Sequence, residues 1–457
     1  MPCTTFLRGL PVFSSLTELQ AVTLSSQFET RQFAPGEAIV RRTDPGEAMY
    51  VIQRGEVRVP VIDEFGREKF VARLGPGDLF GEMALLTGEP RTADVFAESE
   101  VDALVIERAP LDAFLRRFPK LASFLTDILG KRLLQDDAIH QVGKYKLIGE
   151  LGRGGMSIVY EGLHPSLSKT VAIKMLSHEL VYESDFSERF KNEAKIIGAL
   201  DHENIVQVYD QEKAYGTYFI IMEKIKGTVL SRLVETRGVL PFEQVRSILR
   251  QMAVALDYAH EHGVIHRDVK PANVIIEPTG RVKLMDFGIA KSTVEGDAQE
   301  DLIGTAEYMS PEQIMQMGVD GRADIYSLGV MGWEMLVGRV PFECPDSVDI
   351  LRRQVEEAIP SPRSIRPEVP ADLDEFVTRA TLKDPDQRFA TCRQVVELLS
   401  KEEFRASLKV DEAKVKVLTL VYDPSSEDVV RQLVEKMTAA SLTIPGMRFG
   451  VSDARLV

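Results

Sequence analysis

A glycine-rich turn, "LGRGGMSIVY" (151–160), lies between two strand-like runs and is followed, in fixed order, by six further segments. "VAIK" (171–174) is an apolar strand ending in Lys174, and "FKNEAKIIGALDHENIV" (190–206) is an amphipathic helix with Glu193 inside it. "VIHRDVKPANVII" (264–276) is a loop that gathers an acid, a base and an amide, and "KLMDFGIA" (283–290) places Asp286 shortly before a glycine. "GTAEYMSPEQ" (304–313) and "DIYSLGV" (324–330) complete the series. A glycine-rich turn lets backbone N–H groups approach phosphate oxygens, because no side chains intervene. Alone it decides little, since many such hairpins bind nothing. The ordered series constrains the chain far more.

These segments resemble the eukaryotic-type protein kinase domain over residues 145–404, and their order matches that family's signatures. The resemblance implies a two-lobed α+β fold, ATP and Mg²⁺ as cofactors, and protein substrates carrying Ser or Thr. It implies that Lys174 holds the α/β-phosphates and that Glu193 orients Lys174 by an ion pair. Asn273 and Asp286 would supply hard oxygen ligands for Mg²⁺. Asp268 would accept the substrate hydroxyl's proton, and Lys270 would stabilise the transferred phosphate; this "DVKPAN" form resembles Ser/Thr kinases. Leu151, Gly152, Gly154, Gly155, Val159 and Ala172 would belong to the ATP site. Met222 would gate the adenine pocket, with Glu223 and Ile225 offering backbone hydrogen bonds to the base, and Asp324 would anchor the catalytic loop. Ser157 stands where the loop's third glycine is usual, and "SPE" (310–312) replaces the commoner alanine form. Val229 stands where relatives directed to basic substrates often carry glutamate, so an arginine preference is not supported.

Residues 1 to about 110 read differently. Apolar runs "EAMYVIQ" (47–53), "GEVRVPVI" (55–62) and "EKFVARL" (68–74) nearly alternate, and "DPGE", "RG", "EFG" and "GPGD" punctuate them. That spacing predicts a β-roll or jelly roll. The helical stretch 110–141 follows, and Pro119 should break it in two. Within "FGEMALLTGEPRTADV" (80–95), Glu82 and Arg91 are one acid and one arginine in an apolar frame. An arginine fork neutralises a phosphate and a carboxylate accepts from a ribose 2′-OH. Taken alone, the pair reads more readily as a surface salt bridge, which is common and of little worth. The segment closely resembles the phosphate-binding cassette of cyclic-nucleotide-binding domains, and Gly36, Gly55 and Gly77 fall where that family turns. The resemblance implies a cAMP or cGMP site made by Gly81, Glu82, Met83, Ala84, Arg91, Thr92 and Ala93, with the helices of 110–140 as lid and connector. Thr92 resembles the residue of cGMP-preferring relatives, a mild lean.

Composition bounds the rest. A formal charge of −15 argues against general nucleic-acid binding. Cys3, Cys344 and Cys392 form no CxxC pair, so a reducing compartment fits better than a disulfide framework. No apolar run approaches the roughly 18 residues of a membrane span, and no signal-peptide core is present, so a cytoplasmic protein without a membrane partner is expected. The expected domains are a multidomain series: a cyclic-nucleotide domain (1–138), a short connector (139–144), the kinase domain (145–404) and a small β-α segment (405–457), with a strand at 414–422 and a helix at 425–442. The connector 130–144 reads as short and helical. The arrangement resembles cGMP-dependent protein kinases with one nucleotide site, in a bacterial form. The expected function is an ATP-dependent Ser/Thr kinase regulated by cyclic nucleotide. Its rivals are a kinase with a ligand-free docking β-roll and a pseudokinase scaffold that only senses nucleotide.

Arg267 precedes the catalytic aspartate, as in kinases whose activation loop is ordered by phosphorylation. Relatives often carry the phosphorylated threonine four residues before the threonine of the "GT" pair. Here the pair is Gly304-Thr305 and that position is Asp301, beside Glu300. Either these carboxylates stand in for the phosphate, or they are a solvated acidic turn and Ser292 or Thr293 is the phosphosite. Thr305 itself fits a hydrogen bond to Asp268 and Lys270 better than a regulatory role.

Overall fold

The computed structural model describes residues 3–14, 16–62, 68–87, 90–91, 93–135, 141–154, 157–166, 168–183, 186, 190, 197–287, 306–408 and 427–442. The chain divides into two compact units, Met1–Asn192 with Val208–Lys224, and Glu193–Gln207 with Ile225–Val457.

The first unit opens with helices α1 (Cys3–Arg8) and α2 (Glu18–Ser25) and continues as a β-roll. Its strands are β1 (Glu29–Phe33), β2 (Ala38–Val40), β3 (Ala48–Arg54), β4 (Val57–Ile62), β5 (Glu68–Leu74), β6 (Leu79–Phe80), β7 (Val95–Ala97) and β8 (Val101–Glu107). They form two antiparallel sheets, ordered β1-β8-β3-β6 and β2-β7-β4-β5. The near-continuous apolar run of β3 has a physical reason. Tyr50 and Ile52 face the inside of the roll with Val40, Val57, Phe80, Val95 and Val105. Their neighbours Met49 and Val51 face the opposite way, into a layer of helices. With both faces covered, alternation disappears and the strand reads as a buried one. Gly55 shows why glycine marks the turn after β3: its φ is +89°, and a Cβ there would run into the Glu100 carbonyl.

Helix α3 (Glu82–Thr87) sits between β6 and β7. After β8, α4 (Arg108–Arg117) stops before Pro119, a 3₁₀ turn spans Pro119–Ala122, and α5 (Ser123–Gln135) resumes, so the expected break falls where proline removes a donor. The connector is not helical throughout. Gln141–Val142 forms a short strand, β9, paired with Tyr145 and Lys146 across a turn at Gly143, whose φ is +54°. Val142 and Tyr145 are buried there, and the Tyr215 hydroxyl holds the Gln141 carbonyl at 2.6 Å, so extension satisfies both side chains and backbone.

The remaining strands of this unit are β10 (Tyr145–Gly154), β11 (Ser157–His164), β12 (Lys169–Leu176), β13 (Val208–Ala214) and β14 (Thr217–Glu223), with α6 (His178–Tyr182) after β12. They make one antiparallel sheet ordered β13-β14-β12-β11-β10-β9. One face of that sheet, with Ile158, Tyr160, Ile173, Met175, Phe219 and Ile221, shares a continuous core with Leu125, Leu129 and Leu133 of α5 and with Met49 and Leu104 of the roll. The roll, its helices and this sheet are therefore one packed body.

In the second unit the helix Phe242–Glu261 buries Val245, Ile248, Leu249, Met252 and Leu256, an apolar stripe at 3–4 spacing. The helix Gly321–Val337 is buried on nearly every side. Gly329 is required there, since a Cβ would lie 2.7 Å from Ala380 Cβ in the adjacent helix Ala371–Ala380. A three-stranded sheet, β15 (Thr228–Val229), β16 (Val274–Ile276) and β17 (Val282–Leu284), carries the loops that hold the chemistry. The expected C-terminal helix is present as Glu427–Leu442, while the expected strand at 414–422 lies outside the described residues. No helix among the described residues is long and apolar enough to cross a membrane.

Candidate functional site

The loop before β16 is fixed by one buried carboxylate. Asp324, 1% exposed, accepts from the backbone N–H groups of His266 and Arg267, both at 2.8 Å, one on each oxygen. The ring nitrogen Nε2 of His260 lies 2.8 Å from the same group. These bonds hold Arg267 at φ +62°, a left-handed conformation that costs a non-glycine residue about 1–2 kcal/mol. Burial pushes the His266 imidazole below its ordinary range, against the raising influence of Asp324 and Asp268. The Asp268 N–H donates to Nδ1 of His266 at 3.2 Å, which leaves the ring proton on Nε2, donating to the Met285 carbonyl at 3.0 Å. His266 thus ties the Asp268 loop to the segment that ends in Asp286.

Asp268, Lys270 and Asn273 come together. The Asn273 amide nitrogen donates to the Asp268 carbonyl at 2.8 Å and to its Oδ2 at 2.9 Å, and Lys270 Nζ lies 3.3 Å from the same oxygen. With its amide hydrogens directed at Asp268, Asn273 has its carbonyl end to offer a cation. The Met285 N–H donates to the Asn273 backbone carbonyl at 3.0 Å, which sets Asp286 directly after a residue bonded to Asn273. Asp286 has φ +61°. A side-chain carbonyl and a carboxylate are hard oxygen donors of the kind Mg²⁺ takes together with phosphate, so the residues fit that ion.

The "SPE" segment has a structural role. Ser310 caps the short helix Pro311–Ile314 in a reciprocal box with Gln313, whose side chain also donates to the Arg267 carbonyl at 3.0 Å. Glu312 takes a two-pronged pair from Arg388 at 2.7 and 2.8 Å, with both side chains buried. Residues 288–305 lie outside the described residues, and with them Ser292, Thr293, Glu300, Asp301, Gly304 and Thr305.

In the first unit, strand register puts Lys174 opposite Val159 on one side and Ile220 on the other, and pairs Ala172 with Met222. Val159, Ala172, Lys174 and Met222 thereby share the sheet face opposite the one that packs on α5. Leu151, Gly152 and Gly154 are exposed along the hairpin that ends in the Gly154–Ser157 pair. Glu223 follows Met222 at the end of β14, and Ile225 belongs to the second unit. Gly155 and Glu193 lie outside the described residues.

In the roll, the reading of Glu82 and Arg91 as a surface salt bridge is overturned: both are buried, 3% and 7% exposed. Arg91 donates to the carbonyls of Gly81 and Ala48, each at 2.6 Å, and lies over the Tyr50 ring. Among the described residues no carboxylate stands within ion-pair distance of it. Burial pulls its guanidinium below the ordinary value, against the opposing influence of Tyr50, Glu82 and Asp44. A buried cation held, among the described residues, by backbone carbonyls and an aromatic face has the chemistry to seat an anion. Gly81 makes room for it, with φ +80° and a position where a Cβ would lie 2.5 Å from Arg91 Nη1. Glu82 is the first residue of α3, followed by Met83 and Ala84, and it pairs with Arg132 of α5 at 3.0 Å. Ala93 is half-buried after Arg91, and Thr92 lies outside the described residues.

Sequence reasoning missed Arg132 and Asp127 of α5, Arg153 in the glycine-rich hairpin, and the tie through His266. The histidine stood inside "VIHRD", two residues before Asp268, and could have been singled out. The α5 charges gave no signal, since they resemble any solvated helix face.

Comparison with known proteins gives two family matches. The protein kinase domain family matches residues 145–399, and the cyclic nucleotide-binding domain family matches residues 30–118. The serine/threonine-protein kinase PrkC of Bacillus subtilis is 31% identical over 318 residues, 68% of this chain and 47% of that protein. The serine/threonine-protein kinase PknB of Mycobacterium leprae is 39% identical over 264 residues, 56% of this chain and 42% of that protein. The crystal structure of the Mycobacterium tuberculosis PknI kinase domain aligns with a TM-score of 0.49 at 30% identity, over 57% of this chain and 97% of that one. The chain spans less than half the length of these curated relatives. Because the kinase match covers more than half of its 457 residues, the chain belongs to the protein kinase family, with a cyclic nucleotide-binding domain ahead of its kinase domain.

Proposed function

We propose that the chain is an ATP- and Mg²⁺-dependent serine/threonine protein kinase, acting in the cytoplasm, whose activity is regulated by cAMP or cGMP bound in the β-roll. The observation that carries the kinase reading is the Asp268–Lys270–Asn273 cluster on a loop fixed by Asp324. Asp268 orients the substrate Ser or Thr hydroxyl and takes its proton, while Lys270 offsets charge on the phosphoryl oxygens. Lys174 holds the α- and β-phosphates of the nucleotide. Asn273 and Asp286 would hold Mg²⁺, which would supply positive charge to neutralise and align the phosphates. In the roll, Arg91 receives the cyclic phosphate and Glu82 the ribose 2′-OH, a reading supported by the burial of both.

The test is phosphate transfer from ATP to a generic basic protein, with and without each cyclic nucleotide, alongside calorimetry of each nucleotide on the full chain. Transfer that responds to one nucleotide supports the reading. No transfer, and no autophosphorylation, would make the chain a scaffold. Transfer without nucleotide binding would make the roll a docking module.

A further inference from the structure

Helix α5 touches both chemistries of the first unit. On one side, Arg132 Nε donates to Glu82 Oε1 at 3.0 Å. Glu82 is almost wholly buried, whereas the Arg132 side chain is 38% exposed, so the cation reaches in from the helix to a carboxylate that cannot leave. On the other side, Asp127 accepts from Arg153 Nη1 at 3.2 Å. Arg153 stands between Gly152 and Gly154 in the glycine-rich hairpin and is also held by Glu150 at 3.1 Å. Arg132 is five residues from Asp127, about 140° round the helix axis, so one rigid helix reaches two partners at once.

Between these contacts the helix lies close against the sheet. A Cβ on Gly130 would fall 2.7 Å from Ile158 Cδ1 and 3.3 Å from the Tyr160 hydroxyl. Tyr160 is fully buried, and among the described residues its hydroxyl has no hydrogen-bond partner. An unsatisfied buried hydroxyl is unfavourable, and exposure to water restores its bond. The interface between α5 and β11 is close-packed. Its sheet face is the reverse of the one that carries Lys174 and Met222.

We propose that Arg132 is a positioning residue that competes with cyclic nucleotide for Glu82, and that α5 couples this competition to the glycine-rich hairpin through Asp127 and Arg153. The inference rests on the reading of Glu82 as the ribose acceptor. A carboxylate engaged by Arg132 is a poorer partner for a ribose 2′-OH. A nucleotide that takes Glu82 releases Arg132 and weakens the seat of α5 on β11. By linkage, whatever loosens α5 must in turn strengthen nucleotide binding by the same factor.

Two variants of the full chain test this, with cAMP and cGMP titrated calorimetrically and amide hydrogen exchange followed over 123–135 and 157–164. Arg132→Ala should bind the nucleotide about tenfold more tightly than the wild type, within the usual range of coupling between sites. Arg132→Lys keeps the cation and should bind like the wild type. Saturating nucleotide should speed exchange in both segments of the wild type, and Arg132→Ala should show that faster exchange without nucleotide. Binding by Arg132→Ala alone, with none by the wild type, also supports the competition. Equal affinity of the wild type and Arg132→Ala, or exchange unmoved by bound nucleotide, would overturn this inference while leaving the nucleotide site standing. Binding by neither protein would instead remove the nucleotide reading itself, and the inference with it. An Arg132→Ala chain that fails to fold shifts the test to Asp127→Asn, which leaves Glu82 and Arg132 intact and should also raise affinity and loosen 157–164; unchanged values there would overturn the coupling.

Discussion

The side-chain amide of Asn273 donates to both the backbone carbonyl and the carboxylate of Asp268, at 2.8 and 2.9 Å. The acid that would accept the substrate proton is thus aimed by a neighbour whose own side-chain carbonyl would be offered to a metal ion. Asp268→Asn keeps the shape and an acceptor for Asn273 but loses the base. Turnover should fall by about 10²–10⁴-fold while ATP affinity stays near the wild-type value. Steady-state rates together with an ATP binding titration check this; near-native turnover would reassign the role.

Asp324 presents a harsher case. Its carboxylate accepts the His266 and Arg267 backbone donors and lies beside His260. Asp324→Ala leaves these groups buried without a partner and lets Arg267 abandon its left-handed conformation. The expected loss is about 3–5 kcal/mol of stability in the second unit, with loss of turnover. Asp324→Asn retains one acceptor and should lose less. Denaturant melts of both variants provide the comparison, and equal stability of the two would contradict the account.

Gly81→Ala probes the seat of Arg91. The substitution strains a backbone at φ +80° and sets a methyl 2.5 Å from Nη1. We expect cyclic-nucleotide affinity to fall at least about tenfold, with a stability loss of about 1–2 kcal/mol. Calorimetry and thermal melts report the two effects separately. Unaltered affinity would mean that Arg91 does not act from this position.

The parts of the molecule that were legible in sequence share one property: their signal is local. The glycine punctuation of the roll, the break at Pro119 and the order of the kinase segments each lie within a few neighbouring residues. The Asp324 anchor was legible only through family resemblance, because its partners lie 57 and 58 residues away in the chain. Arg132 and Asp127 stayed hidden because a charged residue on a helix carries no mark of what it meets across space. The extended pair Gln141–Val142 was hidden for a related reason. Its short strand is set by burial of Val142 and by the Tyr215 hydroxyl, both decided by tertiary packing rather than by propensity.

Glu334 gives the chain a pH signature. Burial raises its carboxyl from near 4.5 to about 7, with Glu307 and Glu235 adding to the rise and the Tyr308 hydroxyl, 2.6 Å away, opposing it. Burial likewise raises Glu307, with help from Glu343. A carboxyl whose pKa is higher in the folded than in the unfolded chain favours the fold while protonated. Its contribution is complete below about 4.5, declines as pH rises, and is lost once pH passes through about 7. Stability of the second unit should therefore fall by about 2 kcal/mol from roughly pH 5 to pH 8 on account of this group. Glu334→Gln cannot ionise and still accepts from Tyr308. It should flatten most of that decline, with the residual slope due to Glu307. Urea melts of wild type and variant across this range decide the matter: parallel pH dependences would mean that Glu334 is already ionised in the fold.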